Sequence, residues 1–186
     1  MRTRVEFTGG RVERGYSSDW RGGLRRGTWG GDTRHFEVAA VFNCTFSDHG
    51  VVMHGGYREP MYIPGTDAAE LRYTLDHTAS ALHEAAHWCI AGRRRRRYTD
   101  YGYFYEPPPR SGMDRARFED VEIEAQSVEV LFAEAAGSQF QPSGDDVGAP
   151  LFLVEAFGHR ILERARERRQ VGLPKRADKF RAALCL

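Results

Sequence analysis

Apolar positions along the chain fall into short runs with two different periods. From His35 onward, Phe36, Val38, Ala39, Val41 and Phe42 make a short helical face. Residues 51–54 and 60–63 are β-like runs separated by Gly-Gly-Tyr-Arg-Glu, an arrangement that predicts a hairpin. Across 68–91, Leu71, Leu75, Leu82, Ala86 and Cys89 fall on one helical stripe, so a single long helix is expected, capped by Thr66 or Asp67 and ended by Gly92. Residues 98–105 alternate and carry Tyr101, Tyr103, Phe104 and Tyr105, which predicts a strand stopped by Pro107, Pro108 and Pro109, with a loop to about residue 117. Val128, Leu131, Phe132, Ala135 and Ala136 then mark a helix that ends before Gly137. Further helices are expected over 150–170 and 174–186. The mixture reads as one α+β domain with a small sheet and several packing helices.

The N-terminal stretch differs. Residues 1–31 hold 8 of the 20 glycines, seven arginines and three acids, without apolar periodicity. Such a segment buries too little surface to offset its ordering entropy, so residues 1–33 are expected to be a disordered tail and 34–186 the folded domain. Its bland reading is a linker or a misplaced start, its sharper one a nucleic-acid-binding arm.

A net charge of +1 over 186 residues supplies no overall field for nucleic acid or a membrane surface. The exception is local, five consecutive arginines at 93–97 just past the end of the long helix, where cations meet the negative end of its dipole. The run reads either as a solvated face or as a docking patch for an acidic partner or for nucleic acid. Cys44, Cys89 and Cys185 are odd in number and far apart, which suits a reducing compartment and supports no thiolate metal knuckle. No window approaches 18 consecutive apolar residues, so a soluble, cytoplasmic protein without a membrane partner is expected.

One constellation carries chemistry. His83-Glu84-Ala85-Ala86-His87 is an H-E-x-x-H motif within the long helix, and two histidines four apart project from one helical face. That pair can hold a metal ion, with a third ligand needed from elsewhere. The acidic cluster 118–122 is the obvious donor, with Glu122 as ligand, Glu119 as its rival, and Gln126 accepting a hydrogen bond from a ligand imidazole. Asp76, His54, His77 and His159 are weaker candidates. Glu84 would act as the catalytic proton acceptor of a hydrolase, or as a supporting carboxylate. Trp88, Tyr101, Tyr103 and Tyr105 could line a pocket for a cationic side chain. Dinucleotide, P-loop and serine-elbow motifs are absent from the sequence. Two histidines and a carboxylate suit a non-haem Fe(II) oxygenase or a zinc hydrolase, and on spacing alone the chain reads as a zinc metallopeptidase of the gluzincin type.

The wording around the motif points further. ASALHEAAHWCIAG, DYGYFYEP, and FEDVE followed by Gln126, with REPMYIPG before them and GLPKRADKFRAAL near the C-terminus, resemble the elongation factor P hydroxylase family. The resemblance runs from about His35 to the end. It implies a zincin-like α+β fold and an oxygen-dependent enzyme that hydroxylates bacterial elongation factor P after a β-lysyl group has been attached to its lysine. It implies Fe(II), with zinc as the other metal, and molecular oxygen as co-substrate. His83 and His87 match the paired ligands, Glu122 the third and Glu84 the motif glutamate. The zinc peptidase remains the alternative, and a non-catalytic binding module using residues 93–97 is a third reading.

Overall fold

The computed structural model describes residues 34–74, 77–103, 112–144 and 150–185. Helix α1 (Arg34–Thr45) leads into strands β1 (Val51–Tyr57), β2 (Met61–Ile63) and β3 (Ala69–Thr74). Helices α2 (Thr78–Ile90), α3 (Gly112–Ala135), α4 (Leu151–Val171) and α5 (Lys175–Leu184) follow. The described residues thus form an α+β arrangement of five α-helices and a three-stranded sheet. The expectation for the tail, residues 1–33, lies outside the described residues, as do Asp76 and Tyr105.

The sheet corrects two expectations. Its order is β1-β3-β2, with β1 parallel and β2 antiparallel to β3. The hairpin is therefore β2–β3, not the pair formed by the runs at 51–54 and 60–63. The start of the expected long helix is instead the central strand. Ala-Glu-Leu-Arg-Tyr-Thr alternates strictly, and Ala69, Leu71 and Tyr73 are buried while the residues between them are half-exposed. A period of two thus prevails over the four-residue spacing from Leu71 that also fits a helix. Leu71 lies opposite Met53 on one side and Tyr62 on the other, a buried row across the sheet. Each large side chain in it contributes about 2 kcal/mol by leaving water. At the β2–β3 turn a Cβ on Gly65 would collide with the Ala68 carbonyl, so this turn needs glycine.

Helix α2 begins at Thr78, tied to the sheet by the Thr74 amide, which donates to Ser80 Oγ at 2.9 Å. Ala81, Ala85 and Ala86 are fully buried, so neighbouring elements approach its backbone closely. On another side Trp88 enters an aromatic cluster with Phe42, Phe46 and, through Phe42, Phe180. The helix ends on cations, as its dipole favours: Arg96 donates to the Ala91 carbonyl at 2.6 Å, and Arg176 of α5 donates to the carbonyls of Trp88, Cys89 and Ala91. The arginine run is therefore not uniformly a solvated face. Residues 98–103 are no strand but a tight turn, Thr99–Gly102, in which Asp100, Tyr101 and Gly102 all take positive φ.

Helix α3 starts at Gly112, earlier than the loop expected to about 117, and ends before Gly137 as the periodicity predicts. Phe157, Ile161 and Ala165 of α4 pack with its Ile123 and Val130, flanked by pairs from Glu119 to Arg160 and from Glu124 to Arg164 and Arg168.

Candidate metal centre

His83 and His87 stand one turn apart on α2 with their Nε2 atoms 3.0 Å from each other. Helix α3 crosses this face and presents Glu122, whose carboxylate oxygens lie 3.3 Å from His87 Nε2 and 3.6 Å from His83 Nε2. Ligand atoms of all three residues fall within 4.8 Å of one another, and among the described residues this is the one such group of three. Glu119 is elsewhere, paired with Arg160 of α4 at 2.6 Å. His54, His77 and His159 are exposed and stand outside the group.

The supports behind these ligands were half legible. Gln126 is fully buried, and its amide nitrogen donates to Glu122 Oε2 at 3.1 Å and to the Ser143 carbonyl at 2.6 Å, while its oxygen accepts from the Ser143 amide at 3.0 Å. It therefore orients the carboxylate, and the expected bond to an imidazole is not made. That place belongs to Glu129, which the sequence reading missed: its Oε2 lies 2.8 Å from His83 Nδ1. Accepting the Nδ1 proton leaves the Nε2 lone pair directed at the group, as metal ligation requires. Glu122, Gln126 and Glu129 are spaced at four and then three residues, so extending the stripe by one step was the available signal.

Electrostatics follow from this crowding. Burial alone lowers the His83 pKa, but the hydrogen bond to Glu129 and the charges of Glu122, Glu129 and Glu84 outweigh it and raise it to about 10. Burial works in the opposite sense on Glu122, yet the His87 charge and hydrogen bond and the His83 charge bring it down to about 2. Glu84 is buried, and burial raises its pKa against the two histidines. Two imidazoles whose Nε2 atoms converge on an ionised carboxylate, with His83 Nδ1 held by Glu129, make a donor set that fits a divalent transition metal once the His83 Nε2 proton is displaced.

The aromatic residues separate. Tyr101 is 4% exposed, lies flat against Tyr62 at 4.6 Å and nearly parallel to the His87 ring at 6.2 Å. Tyr103 meets Tyr101 edge-on at 6.3 Å. Trp88, expected beside them, is 2% exposed in the core with Phe42 and Phe46, because it projects from α2 one residue and about 100° past His87. The turn that delivers Tyr101 is held by Asp100, whose Oδ1 accepts from the Tyr62 amide at 2.8 Å, and by Arg95, which donates to the Tyr101 carbonyl and lies over the Tyr103 ring. Positive φ at a residue as bulky as tyrosine is strained, and such strain collects at functional sites.

Both outer edges of the sheet are met by side chains. Asp100 takes the Tyr62 amide on β2, while Asn43 of α1 accepts from the Met53 amide at 2.7 Å and donates to the Met53 carbonyl at 3.1 Å on β1.

The family model for elongation factor P hydroxylase matches residues 41–186, a span that contains the histidine pair, Glu122 and everything that supports them. The chain belongs to the elongation factor P hydroxylase family. A curated relative from Haemophilus influenzae, an elongation factor P lysine hydroxylase, is 36% identical over 154 residues, covering 80% of this chain and 85% of the relative. The family resemblance read from the sequence is thus borne out. Among the described residues, no helix of this family member is long and apolar enough to cross a membrane.

Proposed function

We propose that this protein hydroxylates the modified lysine of bacterial elongation factor P, after β-lysylation, using Fe(II) and molecular oxygen in the cytoplasm. The observation that carries the reading is the convergence of His83, His87 and Glu122 in a chain of this family. These three residues would hold iron and leave positions open, the 2-His-1-carboxylate set of non-haem oxygenases, on a zincin-like helix reused for oxidation. Bound iron supplies the activation of O2. One oxygen atom enters a C–H bond, the other leaves as water, and an external reductant provides two electrons.

The chain's own residues do the rest. Glu129 keeps the His83 proton on Nδ1, and Gln126 holds Glu122 turned toward the histidines. Glu84, buried beside the ligands and with its pKa raised by that burial, is the carboxylate placed to take up a proton there. Tyr103, half-buried and backed by the buried Tyr101 ring, offers a ring face to the cationic lysyl side chain, and the surrounding carboxylates favour its charge. A peptidase of this design needs a sheet edge along which a substrate backbone can pair. On β2 the outward Tyr62 amide is already taken by Asp100, which weighs against that alternative.

Intact-mass analysis of lysylated elongation factor P, incubated with the protein, Fe(II), a reductant and air, tests the reading. A gain of one oxygen atom that vanishes with His83→Ala is expected. No gain with any metal, together with peptide cleavage by the zinc-loaded form without oxygen, would overturn it.

A further inference from the structure

The arginine run divides into two sets. Arg95 and Arg96 are used internally, Arg95 on the Tyr101 carbonyl and the Tyr103 ring at 4.3 Å, Arg96 on the Ala91 carbonyl and over the Trp88 ring at 5.4 Å. Together they pin the 3-10 turn Arg95–Arg97 between the end of α2 and the aromatic residues of the metal centre. Arg93, Arg94 and Arg97 are exposed, and among the described residues none of them has a carboxylate partner. Exposed arginines elsewhere are mixed: Arg160 and Arg169 pair with Glu119 and Glu134, whereas Arg58, Arg117 and Arg166 have no carboxylate partner among the described residues, but only 93–97 gathers three such arginines within five positions. Three guanidiniums without a carboxylate partner among the described residues are thus presented together from a turn whose Arg95 lies over the Tyr103 ring and which ends four residues before Tyr101 at the site.

We propose that Arg93, Arg94 and Arg97 form the docking surface for an acidic region of the protein substrate, beside the metal centre that receives its lysyl side chain. The inference rests on the proposed hydroxylation only for the partner's identity. Charge distribution favours it: Glu84, Glu122 and Glu129 make the interior of the site acidic and suited to a cation, while the rim is basic. A partner that inserts a cationic side chain and surrounds it with acidic surface complements both zones at once. Nucleic acid is the poorer occupant, because the chain as a whole carries only +1 and Tyr101 is buried under Tyr62 rather than offered for base stacking.

The test is a direct titration of lysylated elongation factor P onto the full chain at low and physiological salt, with oxygen incorporation measured in the same samples. Replacing Arg93, Arg94 and Arg97 together by Ser is expected to weaken binding about tenfold at low salt and to flatten its salt dependence; replacement by Lys should restore both. The turnover rate at saturating substrate should stay at the wild-type value. Unchanged affinity in the Ser variant, or salt-sensitive binding of a single-stranded RNA in place of the factor, would overturn the docking surface. Tight, arginine-dependent binding without oxygen incorporation would instead sustain docking and overturn the hydroxylation.

Discussion

Glu129 grips His83 from behind: its Oε2 lies 2.8 Å from Nδ1, on the side of the ring away from Glu122. The carboxylate fixes both the tautomer and the orientation of a ligand that helix α2 alone would leave to rotate. Glu129→Gln keeps the shape but removes the charge, and iron affinity is expected to fall by about 10–100-fold, the usual cost of losing such a support. Competition against a chelator of known strength measures this, and wild-type affinity would reduce Glu129 to a packing role.

Glu122→Ala should remove metal and oxygen incorporation together, whereas Glu119→Ala should leave both intact, because Glu119 is spent on Arg160 at the α3–α4 surface. Metal content by mass spectrometry, read with activity on the same preparations, decides between them. The reverse pattern would move the third ligand to Glu119.

Metal binding should be strongly pH-dependent in a definite direction. In the metal-free protein the His83 pKa stands at about 10 against an ordinary 6.5, so its pairing with Glu129 and Glu122 stabilises the fold fully below 6.5 and is lost as pH rises through about 10. Glu122, lowered from 4.5 to about 2, contributes above 4.5 and is lost as pH falls through about 2. A ligating His83 must shed its proton, so iron affinity should rise between pH 6.5 and 10 while the metal-free fold weakens, and binding should release protons into weakly buffered solution. Calorimetry in buffers of different ionisation enthalpy counts them. Proton-free binding at pH 7 would contradict the raised pKa.

Trp88 and Tyr101 should respond to substitution in different currencies. Trp88→Ala opens a cavity among Phe42, Phe46 and Arg176 and is expected to cost about 3–5 kcal/mol in urea denaturation. Tyr101→Leu should instead raise KM for the modified factor severalfold by removing the ring beside His87. An unchanged KM would take Tyr101 out of substrate binding.

The capped sheet edges carry a stability consequence of their own. Asn43→Ala leaves the Met53 amide and carbonyl without their partner, at a cost of about 1–3 kcal/mol. A shift in the denaturation midpoint without loss of oxygen incorporation per folded molecule is the expected result.

Periodicity by itself determined the His83–His87 pair, the end of α3 before Gly137, and helices α4 and α5 within a residue or two, because helical geometry repeats locally and needs no partner to be read. The family resemblance, carried by contiguous words around the motif, was legible for the same reason. What the chain could not disclose depended on which surfaces meet. Leu71 fits a four-residue spacing and a two-residue one equally well, and only burial between Met53 and Tyr62 makes it the centre of a strand. Tyr101 lies in an alternating aromatic stretch, yet stacking on Tyr62 and the Asp100 bond to the sheet edge hold it in a left-handed turn. The choice of Glu122 over Glu119, the reassignment of Gln126 and the presence of Glu129 all wait on the rotation of α3 about its axis where it crosses α2. That rotation is set by the packing of Ile123 and Val130 with α4 and of Val128 and Phe132 in the main core, contacts between residues far apart in the chain that no local pattern records.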